Sequence, residues 1–177
     1  MFGEFFKLEL RSAFKSPMVY IFFFLIALMA FGAVASDGVQ IGGAVGNVYK
    51  NSPHTLTNYV LILGIFGLLF AAAFFNSAAL RDHNNQFNEI MFSLPIKKSG
   101  YFWGRFLGAL VLSSIPLMGV FFGAWLGALI GPAAGWLDAD RIGPFFFETI
   151  VANYFMFILP NMFIAGSIIF FLAHRFK

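Results

Sequence analysis

The side chains that could perform catalysis are few and scattered along this chain. The three histidines, His54, His83 and His174, form no HExxH pair and have no carboxylate at metal-ligand spacing. Asp138 and Asp140 share a loop, where carboxylates are usually solvated. No Gly-x-x-x-x-Gly-Lys-Ser/Thr run is present, so hydrolysis of ATP through a P-loop is not expected of this chain. We therefore predict no catalytic residue, no metal and no cofactor.

The composition is that of a membrane protein. Of the 177 residues, 60% are hydrophobic, 27 are phenylalanine, and only 11% are charged. A soluble domain is about 45–50% apolar and about 25% charged. The net charge of +3 therefore does not indicate a nucleic-acid partner, because the positions of the cations matter more than their sum. The absence of cysteine excludes disulfides and thiolate metal sites.

Four stretches are long and apolar enough to cross a bilayer. They cover residues 18–35, 59–79, 106–131 and 149–173, and none contains Asp, Glu, Lys or Arg. A helix needs about 20 apolar residues to cross the hydrocarbon layer, and the stretches lack the alternation of barrel strands. The sequence predicts an all-α integral membrane protein whose single transmembrane domain fills residues 1–177. The lack of ionisable groups within the spans argues against a proton-coupled carrier.

The basic residues orient these spans. Nine of the eleven lie before the first span, between the second and third, or after the fourth: Lys7, Arg11, Lys15, Arg81, Lys97, Lys98, Arg105, Arg175 and Lys177. Only Lys50 and Arg141 fall in the other two loops. The positive-inside rule therefore predicts that both termini and the loop 80–105 are cytoplasmic.

The N-terminal segment has two further interpretations. Its three cations, the apolar run and Ala33-Val34-Ala35 resemble a cleavable secretory signal. The long apolar stretch, together with Glu4 and Glu9, favours a retained first span instead.

Residues 1–16 are predicted to form an amphipathic helix in the headgroup plane, in contact with membrane lipid. Its apolar face comprises Phe2, Phe6, Leu10 and Ala13, and its polar face comprises Glu4, Lys7, Arg11 and Lys15. Glu9 falls on the apolar side, which the sequence does not explain. A frayed cytoplasmic tail is the alternative.

Small and amide residues within the last two spans, and just before the third, indicate helix packing. Glycines recur four apart at Gly104 and Gly108, then at Gly123, Gly127 and Gly131. This spacing lets another helix approach closely. Asn153 and Asn161 lie in the fourth span, where amides seek protein partners or line a pathway.

The loop 80–105 contains the most distinctive pattern. Phe87, Ile90, Met91 and Leu94 form one apolar helical stripe, and Pro95 ends it. Glu89, Met91, Phe92, Pro95 and Ile96 match the E-x-L-L-x-x-P-[IV] pattern of the cytoplasmic loop of ABC type-2 permeases, with Met-Phe for Leu-Leu. With the N-terminal helix and the order of the spans, nearly the whole chain resembles that family. His83-Asn84-Asn85-Gln86 departs from the charged Arg-Glu-x-Gly-Thr run that often precedes the glutamate.

This resemblance implies a dimeric exporter subunit in the bacterial cytoplasmic membrane. A separate ATP-binding subunit would bind ATP and grip the loop, with Phe87, Glu89, Ile90, Met91, Leu94 and Pro95 as the coupling residues. The family usually has six spans, so we expect an incomplete and inactive permease, and the loops also resemble permeases fused to an aminopeptidase. The alternative is a non-transporting four-span scaffold or assembly factor. The residues do not define a substrate.

Overall fold

The computed structural model describes residues 2–43, 46–84 and 97–175. Within these ranges the chain forms helices and no strand. The helices are α1 (Phe2–Phe14), α2 (Pro17–Ala35), α3 (Pro53–Asn84), α4 (Lys98–Ala133), α5 (Phe147–Asn153) and α6 (Leu159–Arg175), with a 3-10 turn at Ala139–Arg141 and a π-helical turn at Tyr154–Ile158. The side chains of Ala13, Asp82, His83, Asn84 and His174 are left undescribed.

Four helical segments are long and apolar enough to cross a membrane. They run Pro17–Ala35, Pro53–Arg81, Lys98–Ala133 and Phe147–Ala173. The prediction of an all-helical protein with four membrane-length helices is confirmed. The third segment is the centre of the bundle, since 72% of its most apolar window is buried compared with 22% for the fourth. The fourth segment, built from α5, the π-helical turn and α6, therefore buries fewer of its residues in the bundle than the third.

Local sequence signals explain where the helices begin and end. Ser16 accepts a hydrogen bond from the Met18 backbone N–H at 3.4 Å, and Pro17 occupies the first turn of α2. At the end of α4, Gly135 adopts φ 71°, and the Trp136 N–H donates to the Gly131 carbonyl at 3.0 Å. That pair of features is a Schellman motif, and glycine suits its left-handed residue.

The glycines of α4 lie against α2 along most of the span. A Cβ added at Gly127 would lie 2.9 Å from the Phe31 carbonyl oxygen, and one at Gly131 would lie 2.8 Å from that of Ala35. At Gly123 an added Cβ would overlap the Ala27 carbonyl. Because α2 already occupies this groove, the glycines give no support to the expectation of additional spans.

The ends of α3 and α4 differ from the predicted spans. α3 continues to Asn84, and α4 begins at Lys98, so both helices extend into the predicted loop 80–105. They carry Arg81 and Arg105 with them, and these arginines lie between helices rather than in solvent. Arg81 and Arg105 lie outside the predicted spans, because each of those spans stops short of the nearest charged residue.

Candidate functional site: a buried charge cluster

Two glycines at the start of α4 allow α1 to pack at backbone distance. A Cβ added at Gly104 would lie 2.7 Å from the Phe5 Cβ and 2.9 Å from the Phe2 carbonyl oxygen. One added at Gly108 would lie 2.6 Å from the Cβ of Glu9. The four-residue glycine spacing therefore forms a surface into which α1 inserts Phe5 and Glu9. The face of α1 that contacts α4 thus includes Glu9.

Glu9 joins two arginines from different helices. Its Oε1 lies 2.9 Å from Arg105 Nη1 and its Oε2 lies 3.1 Å from Arg81 Nη2. The side chain of Glu9 is 1% exposed, that of Arg105 is 3% exposed and that of Arg81 is 21% exposed. We call these three residues the charge cluster. It connects α1, the last turns of α3 and the first turns of α4.

Arg105 makes further contacts that fix its orientation. Its Nη1 also donates to the Ala78 carbonyl oxygen at 3.1 Å, and its guanidinium carbon lies 5.0 Å from the centre of the Tyr101 ring. The Tyr101 ring in turn meets the Phe5 ring edge to face at 5.2 Å. These contacts stabilise a buried cation through hydrogen bonding and the negative face of an aromatic ring.

The charge cluster holds three helices together. The carboxylate of Glu9 lies against one guanidinium group from α3 and one from α4, so a single side chain of α1 joins three helices. Removing one member of a buried ion pair typically costs about 3–5 kcal/mol, because it leaves an uncompensated buried charge. No group of three or more His, Asp or Glu side chains among residues 2–43, 46–84 and 97–175 could hold a metal ion.

The predicted coupling residues lie next to this cluster in sequence but outside the described residues. Phe87, Glu89, Ile90, Met91, Leu94 and Pro95 all fall within 85–96. The described chain stops at Asn84, three residues after Arg81, and resumes at Lys97, eight residues before Arg105. The two arginines of the charge cluster therefore flank the predicted coupling segment on both sides.

The two asparagines of the fourth span have different surroundings. Asn153 is 2% exposed and donates from Nδ2 to the Thr149 carbonyl oxygen at 2.8 Å. Its Oδ1 is buried and has no hydrogen-bond partner within the described part of the chain. Next to it, the Tyr154 hydroxyl lies 3.1 Å from the Ser114 hydroxyl of α4, at the start of the π-helical turn. Asn161, in contrast, is exposed on the surface of α6.

A second polar cluster ties the loops at the opposite end of the bundle. Lys50 is 3% exposed, donates from Nζ to the Ala33 carbonyl oxygen at 3.2 Å and to that of Ser36, and pairs with Asp37 at 2.9 Å. An ammonium group at the C-terminus of α2 also interacts favourably with the negative end of the helix dipole. The hydrogen bond from Lys50 lowers the pKa of the Asp37 carboxyl below its ordinary value.

At the same end of the bundle, hydrogen bonds join the loop after α2 to the loop after α4. The Lys50 N–H donates to the Arg141 carbonyl oxygen at 3.0 Å. The Asn51 amide donates to the Gly143 carbonyl oxygen at 2.6 Å and accepts from the Gly143 N–H at 2.8 Å. Arg141 lies 3.7 Å from Asp37 and so closes the cluster. The loops after α2 and after α4 therefore behave as one polar cap.

Sequence reasoning missed the charge cluster, although one signal was present. Glu9 was the one acidic residue on the apolar side of an amphipathic helix, and a carboxylate in that position needs a buried cation. Arg81 and Arg105 stood at the ends of two spans, where a partner could have been sought. No protein-family model, curated protein or solved structure matches this chain.

Proposed function

We propose that this chain is a membrane subunit of an ABC-type exporter, coupled through the loop around Glu89 to a separate ATP-binding subunit. The observation that supports this most strongly is the charge cluster. Arg81 and Arg105 lie on either side of the predicted coupling segment and both bind Glu9. A loop that receives force from a partner must be attached rigidly to the helices that it moves, and a buried, geometrically defined ion cluster supplies such an attachment.

The packing suggests how movement of the loop would reach the rest of the bundle. A displacement of the loop pulls on the end of α3 and the start of α4, and Glu9 obliges α1 to follow. α4 then transmits the displacement along its whole length, because it meets α2 at backbone distance through Gly127 and Gly131. At the polar cap around Lys50, at the opposite end of the bundle, this movement would open the pathway or keep it closed.

The orientation that we propose places the charge cluster at the cytoplasmic face. The cation excess at this end of the bundle supports it under the positive-inside rule. Lys7 and Arg11 of α1, and Lys15 directly after it, are exposed and follow one another at four-residue intervals. This row points away from Glu9 and is suited to the anionic headgroups of the inner leaflet, at about 1 kcal/mol per cation.

The test is association with a P-loop ATPase, which we expect to be encoded next to this gene. We expect the two proteins to purify together from detergent-solubilised membranes. Met91→Asp should abolish this association, because a charge would be buried in the docking groove without a partner. Asp140→Asn, which changes an exposed carboxylate at the other end, is the matched control and should leave association unchanged.

The alternative, a four-span scaffold, makes the opposite prediction. A scaffold would show no ATPase partner that depends on position 91. Full association of the ATPase with the Met91→Asp variant, at the membrane level of the wild type, would remove the assigned role of the loop.

A further inference from the structure

Asn161 is an amide exposed in the middle of a membrane span. It is the fifteenth residue of the 27-residue segment Phe147–Ala173 and lies on the open surface of α6. Among residues 2–43, 46–84 and 97–175, its side chain has no hydrogen-bond partner. At this depth no water is available, so an unpaired amide is costly in hydrocarbon.

The residues around Asn161 form a regular stripe. Ile164, Ile168 and Phe171 follow it at intervals of three, four and three residues and are 60%, 58% and 66% exposed. These intervals are those of the a and d positions of a coiled coil, with Asn161 at an a position. The opposite face of α6 is already used, because Met162 and Phe170 are buried in the bundle.

The apolar members of the stripe can face lipid, since lipid tails are as apolar as isoleucine. The amide of Asn161 needs a polar partner, because its NH2 group requires an acceptor and its oxygen requires a donor. A second copy of the same residue, related by a two-fold axis, supplies both at the required depth. A different partner would need its own polar group at that position, whereas self-pairing needs no second sequence.

We propose that the stripe Asn161, Ile164, Ile168 and Phe171 is the surface on which a second copy of this chain docks. The two α6 helices cross in parallel orientation, with the two Asn161 amides exchanging reciprocal hydrogen bonds at the centre. A single polar residue at an a position fixes the register and the number of helices in such a pair. The proposal holds equally for an exporter subunit and for a scaffold, so it does not rest on the proposed function.

Single cysteines test this surface, because the chain has no cysteine of its own. Ile164→Cys and Ile168→Cys lie on the stripe, while Leu28→Cys on α2 is a matched control that is 70% exposed near the middle of its own span. In native membranes treated with a permeable oxidant, we expect disulfide-linked dimers at positions 164 and 168 but not at 28. Equal or greater cross-linking at position 28 would overturn the proposal, as would its absence at 164 and 168.

A second measurement isolates the role of the amide. Asn161→Val should weaken dimerisation by about three- to twentyfold, the range expected for interhelical hydrogen bonds in membranes. Asn161→Gln keeps both the donor and the acceptor and should retain most of the affinity. Energy transfer between labelled copies in liposomes measures the dissociation constant. Identical dissociation constants for the wild type and Asn161→Val would show that the amide does not specify the pair.

Discussion

Replacing Glu9 by glutamine removes the charge of this carboxylate with little change in the shape of the side chain. The carboxylate that lies 2.9 Å from Arg105 and 3.1 Å from Arg81 is then lost, although Arg105 stays buried with 3% of its side chain exposed. Breaking a buried ion pair in this way costs about 3–5 kcal/mol. For a chain of this length each kcal/mol lowers the unfolding midpoint by about 2–4 °C, so we expect a decrease of about 6–20 °C.

The assay is thermal unfolding of the purified protein in detergent, followed by intrinsic tryptophan fluorescence. Glu4→Gln is the matched control, because Glu4 is an exposed carboxylate on the same helix. Exposed substitutions usually change stability by less than about 0.5 kcal/mol. The double variant Glu9→Gln/Arg105→Gln should recover part of the loss, since it also removes a buried charge. If Glu9→Gln unfolds at the same temperature as Glu4→Gln, the charge cluster does not hold α1 to the bundle.

Three further predictions concern other parts of the molecule. Gly123→Ala should lower the free energy of unfolding by about 1–3 kcal/mol, because the added Cβ would meet the backbone of α2. Gly64→Ala is the control in the same thermal unfolding assay: no atom lies near its added Cβ, so it should be neutral or stabilising. Asp37 has a lowered pKa in the folded state through its hydrogen bond with Lys50, so its contribution to stability is present above pH 3.8 and is lost as the pH falls below that value. The difference in unfolding midpoint between the wild type and Asp37→Asn should therefore shrink on acidification, and a difference that grows would refute the pairing. Asp138→Cys should react with an impermeant thiol reagent in intact cells, and protection there would reverse the proposed orientation.

The spans were predictable because length and uninterrupted hydrophobicity are sufficient to define a membrane helix. The first span was bounded closely at both ends, since Ser16-Pro17 is a helix start and the run of apolar residues stops at Ala35. The third was predicted too short at its N-terminal end. The helix continues through Arg105 and begins at Lys98, and the carboxylate that pairs with Arg105 is 96 residues away in the sequence. A rule that ends a span at the first charged residue takes no account of a partner so distant in the sequence.

The packing roles illustrate a second limit. Glycines four apart in α4 indicated close approach of another helix, but the spacing did not identify that helix as α2 of the same chain. Similarly, Asn153 and Asn161 were equivalent in the sequence, both being amides within an apolar span. In the structure Asn153 is buried and donates a hydrogen bond to a carbonyl of its own helix, whereas Asn161 is exposed. The difference arises from the rotation of the fourth segment about its axis, which is set by tertiary contacts such as that of Gly166 with Phe75.

The most direct measurement of the proposed function is a cross-link from the coupling loop to its partner. A cysteine at position 89 carrying a photoactivatable group would be activated in native membranes, and the attached protein identified by mass spectrometry. We predict a P-loop ATPase, linked from position 89 but not from the same group placed at position 138. Attachment to no ATPase, or the same attachment from both positions, would contradict the proposal that this chain is the membrane subunit of an ABC-type exporter.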